Sequence, residues 1–469
     1  MADIRTLRIG MGLSQSELAR RSRVRLHELR KLERGLADPS VDVLERLARE
    51  LKCDLNRLRA AHRAYSQSVV PGEGYTTRKV GATRVLERRL EPSSGMIKVL
   101  DVFCGAGGFS YGFEGTGHYE VTGAIDLLDD RVETFAANHP HATTVQADIR
   151  KFAVEDLGRL ALAPQVLVGG PPCQGFSSLR PFRQLTEGDA RNNLLEDFLL
   201  VVGTLRPEWF VFENVVGLLT HRGGQALDSL LSGFRDIGYR TERAVLNCAL
   251  FGLPQHRERL VIVGTRTSGR FKWPEPTHHV EHRSMAGSKV PRILSHPLLQ
   301  GELNPAVTVM GAIHDLPPLK AGESADWYLD VIPSEYEREM RNGAGKRLAL
   351  HEATNHSAEM LEIVKRAGTN RFHLPEGMTT SGFSSCYSRL HADRPSTTIT
   401  VNFVHPSSNR CIHPQQDRAL TPREGARLQS FPDRFTFCGT RAEVVKQIGN
   451  AVPPLLGQVI ATALYRAIC

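Results

Sequence analysis

With 469 residues, the chain can hold two or three domains at the usual ~100–200 residues each. Hydrophobic residues make up 41% and charged residues 23%, which is ordinary for a globular chain and excludes a fibrous or low-complexity one. The net charge of +8 is unevenly placed: residues 1–95 carry 20 Lys/Arg against 12 Asp/Glu, whereas residues 96–469 carry 39 of each. Such an asymmetry predicts a discrete N-terminal module for a polyanion, with nucleic acid as the leading partner. Eight cysteines without a Cys-x-x-Cys pair argue against a zinc framework or a disulfide scaffold and suit a reducing cytoplasm. No apolar run approaches the ~18–20 residues of a membrane helix. The opening MADIRTLRIGMGLSQ lacks the pattern of a signal peptide, so a cytoplasmic protein without a membrane is expected.

Residues 4–64 read as short amphipathic helices separated by turn signals. Ser14 is an expected N-cap, with Glu17 completing a capping box, and a further helix runs from about Arg25 until Gly35 stops it. Residues 66–95 mix charge with Gly, Pro and Ser and read as a linker. From Met96 the stretches IKVLDVF, VTGAID, PQVLVGG, EWFVFENV and RLVIVGT are short apolar runs alternating with helical patterns. That rhythm predicts an α/β fold with a doubly wound, parallel, Rossmann-like sheet, whose ligands bind at the carboxyl ends of the strands. Residues 272–385 lose the rhythm and become loop-rich.

Four unusual clusters fall at expected strand ends. Asp101-Val102-Phe103-Cys104-Gly105-Ala106-Gly107-Gly108 is a glycine-rich turn through which a backbone can approach a ligand. Asp126 and Asp148 end later runs, where a carboxylate either accepts from ribose hydroxyls or caps a helix. No Gly-Lys-Ser/Thr phosphate grip follows, so a nucleoside without a pyrophosphate fits better than ATP. In Gly170-Pro171-Pro172-Cys173-Gln174-Gly175, the cysteine sits between rigid flanks, a placement that suits a nucleophile better than a packing residue. Glu213, in Phe212-Glu213-Asn214-Val215, can act as a proton donor if burial raises its pKa. Gln255, Arg257 and Arg259 alternate on an extended segment, which aims two guanidiniums at one spot unless the run is merely a solvated charged face.

Taken together and in this order, DVFCGAGGFS, VGGPPCQGFS, FENVVGLL, PQHRERLVIVG, RLHADRPSTTIT, LTPREGARLQSFPDRF and QIGNAVPP closely resemble the DNA (cytosine-5) methyltransferases. The resemblance implies a catalytic domain at 96–271, a target-recognition domain at 272–420, and a hinge with a C-terminal return at 421–469. It implies S-adenosyl-L-methionine as cofactor, held by Phe103, Gly105, Gly107, Gly108, Asp126, Asp148, Ile149, Pro171, Asn450 and Val452. Cys173 would attack a cytosine flipped out of double-stranded DNA, Glu213 would protonate the ring, Arg259 with Arg257 would hold its carbonyl oxygen, and Asn214 would orient the cysteine loop. The family commonly has Glu where Asp126 stands, which puts the ribose contact in question. His278, His279 and His282 are read as surface histidines, so no metal is expected. Arg371, His373, Thr379, Thr380 and Ser381 are candidates for contacts to base edges.

Residues 1–65 resemble a phage-repressor-type helix-turn-helix domain, carried by GLSQSELARRSRV, RLHELRKLERG and DPSVDVLERLARELKCDLNRL. Gln15, Arg25, His27, Glu28 and Lys31 are its expected DNA contacts. Beside a methylase, the resemblance implies transcriptional self-regulation, dimerisation through this module, a monomer on the methylation target, and a restriction endonuclease partner encoded nearby. Two alternatives stand: a helix-turn-helix repressor with an inactive methylase half, and an RNA cytosine-5 methyltransferase.

Overall fold

The computed structural model describes residues 4, 7–8, 11, 13–33, 39–56, 58–59, 77–80, 83–172, 194–280, 303–375, 377–379 and 385–469. The N-terminal unit contains α1 (Gln15–Ser22), α2 (Leu26–Glu33) and α3 (Val41–Glu50). Ser14 caps α1 by accepting from the Glu17 backbone N–H at 3.1 Å, while the Glu17 carboxylate pairs with Arg21. Ser40 caps α3 in the same way, accepting from Val43 at 3.3 Å. Leu18, Leu29, Leu32, Leu44, Leu47 and Leu58 close a small core of their own.

Nine strands form one sheet among the described residues, in the order β1-β2-β5-β4-β3-β6-β7-β9-β8. They are β1 (Thr77–Val80), β2 (Thr83–Leu86), β3 (Ile97–Val102), β4 (Tyr119–Asp126), β5 (Thr143–Gln146), β6 (Val166–Gly169), β7 (Trp209–Val215), β8 (Arg240–Asn247) and β9 (Glu258–Thr265). The five central strands are parallel, as the βα alternation predicts. Both margins are antiparallel, which the sequence reading did not foresee: β9 inserts between β7 and β8, and β1–β2 form a hairpin laid along β5. Part of the expected 66–95 linker is therefore sheet. Its Thr and Val residues (Thr77, Val80, Thr83, Val85) favour extended backbone, and Val85 and Leu86 are buried.

Period-two alternation sends side chains to two cores. Val99, Val121, Val168 and Val211 face one side, with α4 (Gly108–Gly115) and α14 (Pro454–Ile468) upon them. Leu100, Val102, Leu167, Phe210 and Phe212 face the other, covered by α6 (Val154–Leu160), α7 (Leu194–Leu205) and α8 (Gln225–Asp236). Helix α5 (Asp129–Asn138) follows β4. A third core joins α9 (Val309–Ile313) and α10 (Glu335–Arg341) to Phe403, α12 (Pro422–Leu428) and α13 (Arg441–Asn450). Within it Arg427 is buried between Asp315 and Asp433, so its charge is matched on both sides. The loop-rich region also carries the two-residue strands β10 (His278–His279) and β11 (Asn304–Pro305), and α11 (Ala358–Arg366).

The stretch Arg441–Ile468 has the length and mean hydropathy, 1.2, of a membrane span, a feature the sequence reading passed over. Half of that apolar window is buried inside the fold, however, and Ala451–Pro453 interrupts the helix. Where α14 crosses α4, a Cβ on Gly112 would stand 2.0 Å from the Pro454 carbonyl oxygen, and one on Gly457 2.5 Å from that of Phe109. The glycines let two helix backbones touch, which brings the C-terminal segment back onto the strand ends.

Candidate active site

A cavity of about 80 Å³ opens at the carboxyl ends of β3, β6 and β7. Its walls include Asp101, Phe103, Gly105, Gly108, Phe109, Arg131, Gly170, Glu213, Gln447, Asn450 and Val452. A larger hollow of about 440 Å³ lies at the opposite end of the sheet, around Pro164, Gln165 and Arg206–Glu208, and contains none of the expected site residues. The glycine turn is built from left-handed backbone: Phe103 has φ +59°, Gly105 +52° and Gly107 +87°. At Gly107 the left-handed φ and the 2.6 Å approach of His139 Nε2 to a Cβ both exclude a side chain.

Several polar groups converge here. Asp126 accepts from the Gly105 N–H at 2.9 Å and from the Leu128 N–H at 3.0 Å, tying the glycine turn to the start of α5. Burial pushes its pKa up against those bonds. Asp101, 2% exposed, accepts from Ser110 Oγ at 2.5 Å, and burial raises its pKa to about 8. Gln447 is 1% exposed; its amide nitrogen donates to Asp130 at 3.1 Å and to the Cys438 carbonyl at 2.7 Å. Its Oε1 is buried without a partner, an acceptor on a residue that lines the cavity.

Glu213, on β7, is 7% exposed and pairs with Arg259 Nε at 2.8 Å. Burial raises its pKa, outweighing the pull of Arg259 and Arg257. A Cβ on Gly170 would stand 2.9 Å from Glu213 Oε2, so the chain beyond β6 passes directly over the carboxyl. Next to it, Asn214 Nδ2 donates to the Pro171 carbonyl at 3.2 Å. Cys173 lies outside the described residues.

Three expectations meet a different geometry. Arg257 does not join Arg259 at one spot: it is 2% exposed, and its guanidinium donates to the carbonyls of Ala451 (2.8 Å), Ile399 (3.4 Å) and Gly449 (3.4 Å). Gln255 is likewise internal, donating to the Leu428 carbonyl at 3.0 Å and accepting from Ile399 N–H at 3.0 Å. Alternation held, but the shared face points into the protein. Asp148 is bound bidentately by Arg150, at 2.9 and 2.7 Å, and Asp148, Ile149, Asp126, Gly107 and Pro171 all lie off the cavity lining, Asp126 reaching it only through its bond to Gly105. Sequence reasoning missed Asp101, Arg131 and Gln447, and it also missed a buried pair beneath the glycine turn. There Glu114 Oε2 meets His139 Nδ1 at 2.8 Å, and His139 Nε2 lies 3.3 Å from the Gly107 carbonyl. Asp101 heads the quoted motif and Gln447 stands in the last one, so both were in view without a geometric reason to choose them.

In the N-terminal unit, Gln15 opens α1, and Arg25, just ahead of α2, is exposed and lies 3.7 Å from Glu28. His27 and Lys31 fall on α2, with side chains outside the described residues, as are Thr380, Ser381 and His282. Arg371 and His373 occupy a short turn whose Phe372 is 81% exposed, and Thr379 follows it. No group of three His, Cys, Asp or Glu among the described residues could hold a metal.

Residues 97–466 match the family model of C-5 cytosine-specific DNA methylases, and residues 4–58 match a helix-turn-helix model. The type II methyltransferase M1.HphI of Haemophilus parahaemolyticus is 35% identical over 373 residues, covering 78% of this chain and 86% of its own. The type II methyltransferase M.AgeI of Thalassovita gelatinovora is 32% identical over 438 residues, covering 79% of this chain and 100% of its own. Among solved structures, a prophage-encoded E. coli protein described as a DNA modification methyltransferase superposes with a TM-score of 0.60 at 24% identity. That match spans 79% of this chain and 99% of that one, and supports the fold. The chain belongs to the C-5 cytosine-specific DNA methylases and carries a helix-turn-helix domain ahead of the catalytic body. Its family and its relatives make it a DNA methyltransferase.

Proposed function

We propose that the enzyme flips a cytosine out of duplex DNA and methylates carbon 5 through a covalent adduct on Cys173, with S-adenosyl-L-methionine as methyl donor. The observation that carries the reading is the Glu213–Arg259 pair, buried at a strand end, with its carboxyl raised in pKa and the Pro171 carbonyl held by Asn214 beside it. The Cys173 thiolate would attack ring carbon 6. Glu213 in its acid form would donate to ring nitrogen 3, so that the attacked ring does not accumulate charge. Arg259 would orient that carboxyl and hold the cytosine carbonyl oxygen. Carbon 5 of the resulting enamine would take the methyl group; loss of the carbon-5 proton to a base, expulsion of the Cys173 thiolate and return of the nitrogen-3 proton to Glu213 would then release 5-methylcytosine.

The donor set fits the cofactor. The cavity brings polar groups suited to the amino-acid end of the cofactor beside the glycine turn. There Arg131 offers a cation to the carboxylate, Asn450 an amide, and Gln447 Oε1 an unused acceptor to the ammonium. The nucleoside would extend along Phe103, Gly105, Gly107 and Gly108 toward Asp126, with Val452 and Pro171 closing over it. Asp148 would have to leave Arg150 to meet the adenine amino group, with Ile149 behind it. When bound, the cofactor supplies an electrophilic methyl group; the protein places it and excludes water.

Residues 272–420 would read the target sequence and 421–469 would hinge that part to the catalytic body. Gln15, Arg25, His27, Glu28 and Lys31 would read a second DNA site through which the protein, as a dimer, represses its own gene. The relatives' type II designation supports a restriction–modification setting in the cytoplasm, with an endonuclease encoded nearby. The test is expression in a host without cytosine methylation, followed by conversion sequencing, beside a Cys173→Ala control. Protected cytosines in one short motif, absent from the control, are expected. Protection that persists in the control would overturn the covalent mechanism.

A further inference from the structure

The hairpin β1–β2 lies outside both family matches, which end at residue 58 and resume at 97, yet it is welded to the sheet beside the cofactor rim. Asp126 pairs in register with Gln146, and Gln146 with Arg84, so the three stand in one row across β4, β5 and β2. From that row Arg84 reaches the first turn of α5, bonding Asp129 and, at 3.0 Å, Glu133. Two residues on, Leu86 is fully buried against Val132 and Ala136 of the same helix. Arg89 then donates to the carbonyls of Ala136 (3.2 Å) and Ala137 (3.1 Å) near its far end. The segment 84–89 thus grips α5 along its whole length. From the other side α5 is held at Asp130 by Gln447 of the cavity wall.

We propose that this hairpin is a positioning element of the cofactor site, with Arg84 setting where α5 begins and therefore where Asp126 stands. The mechanical link is short. The Asp126 carboxylate is bonded to Leu128 N–H at the head of α5 and to Gly105 N–H in the glycine turn, so displacing the helix displaces both. Asp129 is 57% and Glu133 31% exposed at the side chain, so Arg84 contributes a water-screened fork, and its loss shifts the helix without unfolding the sheet. The proposal rests on the reading that Asp126 faces the nucleoside.

The test uses the full chain and S-adenosylhomocysteine as probe, by calorimetric titration of the wild type, Arg84→Ala, Arg84→Lys and Asp126→Ala. Arg84→Ala is expected to weaken binding about two- to fivefold, as loss of a partly exposed charge fork would. Arg84→Lys should recover part of that loss. The KM for S-adenosylmethionine should rise with kcat within about twofold, and the affinity for duplex DNA should not change. High salt should bring the wild type toward Arg84→Ala, a response that a packing defect would not give. Weakening by Asp126→Ala with none by Arg84→Ala overturns the hairpin's role, even if the latter melts earlier. No weakening by Asp126→Ala overturns the cofactor reading itself. Should Arg84→Ala fail to fold, Glu133→Gln removes one arm of the fork and is expected to give a smaller shift in the same direction; its absence counts against the proposal equally.

Discussion

Replacing Arg257 by Ala separates a structural arginine from a catalytic one. In the sequence the two arginines of HRER look equivalent, but Arg257 spends its donors on the carbonyls of Ala451, Ile399 and Gly449. Bonds from a charged donor are worth ~1.5–3 kcal/mol each when short. One here is short at 2.8 Å and two are long at 3.4 Å. Relief of the guanidinium's desolvation, and then of the repulsion from Arg259, offsets part of the loss. A net cost of about 2–4 kcal/mol follows. With an unfolding entropy of ~2.1 cal/mol/K per residue and roughly 400 residues melting together, that lowers Tm by about 2–5 °C. Calorimetry should show this shift, while single-turnover methyl transfer well below Tm stays within about threefold of wild type. Arg259→Ala should instead lose activity, because it strips Glu213 of its partner. An Arg257→Ala enzyme with unchanged Tm and a hundredfold loss of rate would refute the assignment.

Glu213→Gln keeps the shape and removes the proton, so kcat should fall about 10²–10⁴-fold while DNA affinity by fluorescence anisotropy is retained. Because burial raises the Glu213 pKa, the acid form persists to higher pH; the wild-type rate should fall on the alkaline side of that pKa, and an alkaline limb of the same shape in the Glu213→Gln enzyme would contradict the role. Asp101 binds its proton up to about pH 8 in the fold but only to about 4 when unfolded, so its contribution to stability falls as pH rises between those values, by at most ~1.4 kcal/mol per unit. Asp101→Asn should flatten the pH dependence of Tm in that window, and parallel profiles for the two proteins would defeat the reasoning. Gly170→Ala puts a Cβ 2.9 Å from Glu213 Oε2 and should cost at least tenfold in kcat with a small change in Tm; a fully active variant would mean that the strand end yields more readily than its packing implies.

The central sheet was legible because each parallel strand is buried on both faces, which leaves a continuous apolar run such as PQVLVGG or EWFVF. Strand direction was not, since β9 has the same composition whether it runs with β7 or against it. The hairpin at 77–86 was lost in a stretch with the composition of a linker, because four-residue strands carry too little pattern to outweigh their Gly and Arg neighbours. In the site, residues that touch a ligand through their own motif, such as Glu213 and Asn214, could be singled out locally. Arg257 could not, because alternation gives a shared face but not whether that face meets solvent, a ligand or the C-terminal chain. Gln447 and the Glu114–His139 pair depend on contacts between segments hundreds or tens of residues apart, which no spacing rule reports.

The chain order of the cavity walls explains why the C-terminal segment must return. Residues from 101–109, with Arg131, Gly170 and Glu213, line the cavity on the side of the strand ends. Residues 447–452 supply another side, held by the side-chain bonds of Gln447 and by two contacts from outside the segment. One is the glycine crossing of α4 and α14, which allows backbone contact at Gly112 and Gly457. The other is Arg257, whose strongest bond goes to the Ala451 carbonyl, between Asn450 and Val452 in the wall itself. Burial raises the pKa of both carboxyls, and the C-terminal segment closes one side of the cavity that they line. The residue that looked like a second catalytic arginine braces that wall from behind through the Ala451 carbonyl, a role read in stability rather than in rate.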